Sequence, residues 1–133
     1  MRFVDTNIFL RFLTNDDPVR ADACEKLFRR AIEGKEQLFT TELVIAEIVW
    51  VLESYYELDR KEIRSKIEKI LNTRNLYCPN REVIIHALGP YEEKNIDYID
   101  AYNAFLIKLA GIAEVYTYDK HYDRLPWLTR LEP

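Results

Sequence analysis

Four aspartates stand where carboxylates could share a ligand. Asp5 follows one short β-prone run near the beginning of the chain, and Asp119 follows another near its end. The carboxyl ends of strands are where open α/β sheets bind their ligands. Asp97 and Asp100 are spaced i, i+3, which places both carboxylates on one face of a predicted helix. Asp97 also suits the N-cap of that helix, whereas Asp100 lies one turn further in.

A fifth acid, Glu47, is the only charged residue between Leu43 and Leu52. A helix with so few polar positions is expected to be largely buried, Trp50 included. An unpaired carboxylate in such surroundings costs several kcal/mol or takes up a proton. The sequence therefore predicts a compensating group beside Glu47, either a metal ion or a basic side chain in an ordinary salt bridge.

If Asp5, Glu47, Asp100 and Asp119 converge, their like charges repel, and a divalent cation is the usual remedy. All the donors are oxygens, which favours Mg²⁺ or Mn²⁺ over zinc or copper. Asp97 is a possible further ligand. Such a site suits phosphodiester hydrolysis, because the metal lowers the pKa of water and stabilises charge on the attacking and leaving oxygens.

Other common sites are excluded by composition. The three glycines are too far apart to form a phosphate-binding or dinucleotide-binding loop. The two serines lie outside any G-x-S-x-G setting, and the two cysteines and two histidines form no zinc-binding pairs. An enzyme with this sequence must rely on its carboxylates.

Length and charge limit the remaining possibilities. We expect a single domain over residues 1–133, because the chain is near the usual size of one domain. No signal peptide or membrane-spanning run is predicted, so we expect a cytoplasmic protein with no membrane contact. The net charge of −4 comes from 23 acidic and 19 basic residues, and the four proposed ligands account for the whole difference. Locally basic rims could therefore hold a polyanionic substrate around a metal-neutralised pocket.

Strands and helices are predicted to alternate along the chain. Helix caps, apolar spacing and short β-prone runs carry the assignments. The expected strands are Arg2–Val4, Leu38–Thr40, Leu76–Cys78 and Glu114–Tyr116. The expected helices are Asn7–Leu13, Pro18 to near Gly34, Glu42 to about Tyr56, Asp59 to Leu71, Arg81–Leu88 with a break at Gly89-Pro90, and Asp97–Ala110. This alternation predicts an α/β fold with a central, mainly parallel β-sheet flanked by α-helices.

Four short motifs resemble those of the PIN-domain ribonucleases, in particular the VapC-like toxins of toxin–antitoxin pairs. The motifs are Phe3-Val4-Asp5-Thr6-Asn7, Leu43-Val44-Ile45-Ala46-Glu47, Ile96-Asp97-Tyr98-Ile99-Asp100-Ala101 and Tyr116-Thr117-Tyr118-Asp119-Lys120. Each motif is weak by itself, but all four occur in the right order and at suitable spacing. The resemblance implies a single PIN-like domain in which Asp5, Glu47, Asp100 and Asp119 hold Mg²⁺ or Mn²⁺ and carry out RNA hydrolysis.

The same resemblance implies further roles. Asn7 and Thr117 would be accessory residues that orient carboxylates, and dimerisation and inhibition by a cognate antitoxin protein would be expected. Independently of the resemblance, Arg11 is a candidate for contact with a substrate phosphate, because it lies near the proposed site in sequence.

Two other functions stay open. A non-catalytic RNA-binding or regulatory PIN-like domain would have the same pattern. A Mg²⁺-dependent phosphoryl-transfer protein would also combine an α/β fold with an early aspartate. Against it, the haloacid-dehalogenase-type motif needs a second aspartate where this chain has Asn7. A receiver domain needs an aspartate after a central strand, where this chain has Thr40-Thr41.

Overall fold

The structure, a computed structural model, describes residues 1–133 and divides into two compact units. The first unit spans Met1–Arg81 and the second Glu82–Pro133. The expectation of one domain over the whole chain stays a prediction. None of the helices combines the length and the apolarity that a membrane crossing requires.

The first unit is built around three short parallel strands. They pair in the order β1-β2-β3, with Arg2 opposite Leu38 and Leu38 opposite Leu76. Its elements are β1 (Arg2–Phe3), α1 (Thr6–Leu13), α2 (Pro18–Ile32), β2 (Leu38–Phe39), α3 (Glu42–Ser54), α4 (Arg60–Leu71) and β3 (Leu76–Tyr77). Strands joined in parallel through helices confirm the predicted α/β class.

Side-chain caps start α2, α3 and α4 where the sequence predicts them, whereas α1 starts one residue earlier than predicted, at Thr6. The carboxylate of Asp17 accepts from the backbone N–H of Arg20 at 3.1 Å, and that of Asp59 accepts from the N–H of Glu62 at 2.8 Å. The hydroxyl of Thr41 accepts from the N–H of Val44 at 3.3 Å and begins α3. Each cap satisfies a donor that the first helical turn leaves unpaired.

The core of the first unit lies between its helices and the sheet. Phe9 of α1 stacks on Phe28 of α2 with ring centroids 5.3 Å apart. Fully buried aliphatic side chains from α3 and α4, such as Ile48 and Ile67, complete this core. Its packing fixes the directions of α1, which Asp5 directly precedes, and of α3, which carries Glu47.

The second unit contains two helices and a short parallel strand pair. Its elements are α5 (Arg81–Glu93, starting at the boundary residue), α6 (Tyr98–Leu109), β4 (Glu114–Tyr116), a 3-10 turn (Lys120–Arg124) and β5 (Thr129–Leu131). β4 pairs with β5 with Glu114 opposite Thr129. β5 was not predicted, because three residues without alternating polarity give no strand signal. One buried cluster of the second unit contains Ala87, Ile96, Ala101, Ala104, Tyr122, Leu125 and Leu128.

The predicted break at Gly89-Pro90 is wrong, because α5 continues through both residues to Glu93. Gly89 does not adopt the left-handed conformation that ends a helix, whereas Gly34 and Gly111 do, with φ of 82° and 78°. Proline removes one donor from a helix, and the turn beyond it still closes through the N–H of Lys94 and the carbonyl of Pro90 at 3.0 Å.

Candidate active site

Asp5 lies between the end of β1 and the start of α1. Its carboxylate accepts from the backbone N–H of Thr6 at 2.8 Å and caps α1. The strand end before it is fixed from two sides: the N–H of Val4 donates to the carbonyl of Phe39 at 2.8 Å, and the buried hydroxyl of Thr40 donates to the carbonyl of Val4 at 3.1 Å. Asp5 itself is exposed, so its free carboxylate oxygen faces solvent.

The prediction that Glu47 is buried is wrong. One face of α3 is buried through Val44, Ile45, Ile48, Val49 and Leu52. Glu47 lies on the other face, where Leu43 is 82% exposed and Trp50 is 67% exposed. The helix is apolar on both faces, but only one of them packs. The cost of burying a charge therefore gives no reason for a metal or salt-bridge partner at Glu47.

The two acids at the start of α6 have different roles, as their spacing predicts. Asp97 is the N-cap, and its carboxylate accepts from the N–H of Ile99 at 3.2 Å. Asp100 is half-buried, and the buried Tyr122 hydroxyl donates to its Oδ1 at 3.1 Å. Burial raises the pKa of Asp100, the hydrogen bond from Tyr122 lowers it, and the negative charges of Asp97 and Asp119 raise it further.

Asp119 begins the 3-10 turn after β4. Its Oδ1 accepts from the backbone N–H of His121 at 2.8 Å, and this bond is the main reason that its pKa is lowered. The Nδ1 atom of His121 lies 3.3 Å from the same oxygen. The Thr117 hydroxyl accepts from the backbone N–H of Asp119 at 3.0 Å. Thr117 thus holds the backbone of Asp119, while the turn holds the carboxylate.

Asn7 and Arg11 lie one turn apart on α1. Asn7 is exposed and makes no hydrogen bond to Asp5, whose capping bond goes to Thr6. Arg11 is half-buried in the last turn of α1 and forms no ion pair. Both side chains line a cavity of about 330 Å³ between α1 and α2.

The proposed ligands suit a divalent cation in donor type and charge. All of them are carboxylates. Burial, and to a lesser extent the negative charges of Asp97 and Asp119, raises the pKa of Asp100, and a cation there would favour its ionised form. Nowhere in the chain do three or more His, Cys, Asp or Glu side chains form a group that could hold a metal ion. The four-carboxylate cluster therefore stays a prediction from the sequence.

Two residues near these acids were not predicted to matter. Thr40 fixes the strand end that carries Asp5, and Tyr122 holds Asp100. The spacing of Tyr122 three residues after Asp119 is visible in the sequence, but it predicts a contact with Asp119 in a turn. The contact with Asp100, 22 residues away, depends on packing that no sequence pattern records.

A family model, a similar protein and a solved structure each match most of this chain. The family model described as PIN domain matches residues 2–128. A VapC ribonuclease of Aquifex aeolicus (strain VF5) is 28% identical over 129 residues, which cover 97% of this chain and 95% of that protein. The crystal structure of Mycobacterium tuberculosis VapC20, a Sarcin-Ricin loop cleaving toxin, superposes with a TM-score of 0.43. That match is 16% identical and covers 93% of this chain and 94% of the other.

Proposed function

Because the chain belongs to the PIN domain family, we propose that it is a metal-dependent endoribonuclease and the toxin of a type II toxin–antitoxin pair. The family match over residues 2–128 carries the proposal. The similarity to a VapC ribonuclease along nearly the full length of both chains supports RNA as the substrate. A single domain over residues 1–133, acting in the cytoplasm as a homodimer and inhibited by an antitoxin protein, is part of the same proposal.

In this proposal Asp5, Glu47, Asp100 and Asp119 hold Mg²⁺ or Mn²⁺. When bound, the metal supplies a water of lowered pKa and stabilises charge at the phosphorus centre. The protein's part is to fix the carboxylates in place. Asp5 is fixed by capping α1, Asp119 by the 3-10 turn and Asp100 by Tyr122.

Four further residues have supporting roles in this proposal. Asp97 uses its carboxylate to cap α6, so it would reach the metal only as an additional ligand. Thr117 fixes the backbone beneath Asp119. Asn7 and Arg11, which line the cavity of α1, would face the RNA rather than the metal.

The decisive experiment is cleavage of single-stranded RNA by the purified protein. We expect cleavage with Mg²⁺ or Mn²⁺ and none in EDTA. Asp5→Asn, from the first unit, and Asp100→Asn, from the second, should each lower the rate at least ~100-fold. Asp123→Asn is the matched control, because Asp123 is an exposed acid paired with Arg130 at 3.2 Å.

Two outcomes would contradict the proposal in different ways. Metal-independent RNA binding without cleavage would favour the non-catalytic RNA-binding alternative. Equal activity in wild type, Asp5→Asn and Asp100→Asn would remove these carboxylates from the site, whatever the source of the activity.

A further inference from the structure

The cavity between α1 and α2 differs from the rest of the molecule in charge. It is lined by Asn7, Ile8, Arg11, Arg20, Ala23 and Cys24, and none of these is acidic. The whole chain carries four more acidic than basic residues. By contrast, the larger cavity of the first unit is lined by three acids, Asp22, Glu25 and Glu33, and by only two bases, Arg29 and Lys69. A concave surface that holds two guanidinium groups and no carboxylate favours an anion.

Arg11 has donors that no group in the protein uses. It is half-buried and forms no ion pair or hydrogen bond, although a guanidinium carries five N–H donors. Its place in the last turn of α1 gives it a weak attraction to the helix dipole. That attraction uses none of the N–H donors. The guanidinium therefore keeps the donors that bidentate binding of an oxyanion requires.

The other cavity residues support Arg11 in different ways. Arg20 is oriented by Asp17, whose Oδ2 lies 3.4 Å from its Nε, and the remaining guanidinium nitrogens are open to a ligand. The exposed Asn7 adds an amide donor one helical turn before Arg11. Cys24 forms part of the wall. Its thiol is buried, which raises its pKa, and the positive charge of Arg11 partly offsets that rise, as expected for neighbours.

The position of the cavity indicates which anion it takes. Asp5 caps the helix that contributes Asn7, Ile8 and Arg11. Six residues of helix span ~9 Å, so Arg11 lies about that far along the axis from Asp5. A single RNA strand whose phosphodiester reaches Asp5 and that continues along α1 would carry neighbouring phosphates over this cavity.

We propose that Arg11, Arg20 and Asn7 form a binding site for a backbone phosphate of single-stranded RNA, beside the scissile phosphodiester. The site contacts phosphate and not base, so it sets affinity and register without selecting sequence. This inference rests on the proposed ribonuclease function. Arg11 contributes most, since Arg20 shares its charge with Asp17.

The test measures RNA affinity in EDTA, where no cleavage occurs. The probe is a fluorescein-labelled single-stranded oligoribonucleotide, and anisotropy is recorded at several salt concentrations. For single strands, log K falls with log[salt] by ~0.7 per phosphate contact. Arg11→Gln should weaken binding roughly tenfold at low salt and reduce the slope by about 0.7 to 1. Arg20→Gln should have the same effect to a smaller extent, and Arg11→Lys should keep the slope.

Two further variants separate this site from general charge effects. Arg74→Gln is the matched control, because Arg74 is an exposed arginine of the same unit that forms no ion pair and lies outside the cavity. It should change affinity less than twofold. Ala23→Glu leaves both arginines in place but puts a carboxylate in the cavity wall, and it should reproduce the loss seen in Arg11→Gln. Unchanged melting temperatures show that the variants are folded.

A chemical change in the RNA identifies the phosphate. A single neutral methylphosphonate linkage is moved along the oligonucleotide, and one position should weaken binding to wild type but not to Arg11→Gln. Equal behaviour of Arg11→Gln and Arg74→Gln would overturn the inference and leave an acidic peptide as the occupant of the cavity. If wild type cleaves RNA in that case, only the phosphate site is wrong. If wild type neither binds nor cleaves RNA, the proposed function fails together with it.

Discussion

At the level of single residues, Asp100 is the most constrained of the proposed ligands. It is half-buried, it lies among other negative charges, and its Oδ1 accepts from the Tyr122 hydroxyl at 3.1 Å. The hydrogen bond stabilises the ionised form of Asp100, whereas burial and the neighbouring negative charges destabilise it. Burial and the nearby negative charges, chiefly that of Asp100, raise the pKa of Tyr122, so the hydroxyl stays a donor throughout the physiological range.

Tyr122→Phe should therefore weaken metal binding without disturbing the core. The ring keeps its packing, but Asp100 loses the hydrogen bond that orients its carboxylate. We expect a several-fold loss of Mn²⁺ affinity at neutral pH, measured by electron paramagnetic resonance. Tyr116→Phe, which removes a hydroxyl from a side chain that is 72% exposed, should have no effect. Equal Mn²⁺ affinity in wild type and Tyr122→Phe would show that the bond to Asp100 has no bearing on the metal.

At the level of elements, caps and strand ends place the acids. Asp5, Asp97 and Asp119 each accept a backbone N–H at the start of a helix or turn. A carboxylate in that position is held at an N-terminus, where the helix dipole stabilises negative charge. Capping also uses one lone-pair direction and leaves the others for a ligand.

Asp97→Ser separates capping from metal binding, because serine is as good an N-cap as aspartate but a poor metal ligand. We expect Asp97→Ser to keep most of the RNA cleavage rate and the wild-type melting temperature. Asp97→Ala should lose about 1 kcal/mol of stability with the cap. A loss of activity in Asp97→Ser as severe as that of Asp100→Asn would make Asp97 a direct metal ligand.

The ends of the helices were easier to predict from the sequence than which face of each helix is buried. Caps such as Asp59 and the left-handed Gly111 mark helix ends through local chemistry, so those ends agree with the structure. The exposure of Glu47 was not predictable, because α3 is apolar on both faces and only its packing decides which one is buried. The continuity of α5 through Pro90 was missed for the same reason, since tertiary packing outweighs a local breaker.

At the level of the whole molecule, Asp100 of the proposed site lowers the stability of the folded protein when no metal is bound. The pKa of Asp100 is raised in the folded protein above its ordinary 3.8. Folded protein therefore holds the proton more tightly than the unfolded chain does. Stability falls as the pH rises from 3.8 through the folded pKa, and the full penalty persists at higher pH.

Asp100→Asn removes that penalty and keeps an acceptor for Tyr122. In EDTA at neutral pH we expect the variant to melt a few degrees above wild type, with the difference vanishing below the ordinary pKa of 3.8. Metal should reverse the order, since an ion at 100 times its dissociation constant stabilises wild type by about 2.7 kcal/mol. If wild type ignores metal and the variant melts lower at every pH, the carboxylates are structural ion-pair partners.

The two units raise the question of cooperativity. The second unit has roughly 50 residues, a size at which an independent core is marginally stable. We therefore expect residues 1–133 to unfold in one transition, with equal calorimetric and van't Hoff enthalpies. Two separate transitions in differential scanning calorimetry would show that the units are independent domains.

The exposed face of α3 should also affect the tryptophan fluorescence of the protein. Trp50 is 67% exposed and lies three residues after Glu47, on the same side of the helix. The other tryptophan, Trp127, is half-buried with the Lys108 ammonium 4.7 Å from its ring. Native fluorescence should thus contain a red-shifted component from Trp50 that iodide quenches readily. Paramagnetic Mn²⁺ held by Glu47 would quench that component, so the unlabelled protein reports by its own emission when the metal is bound.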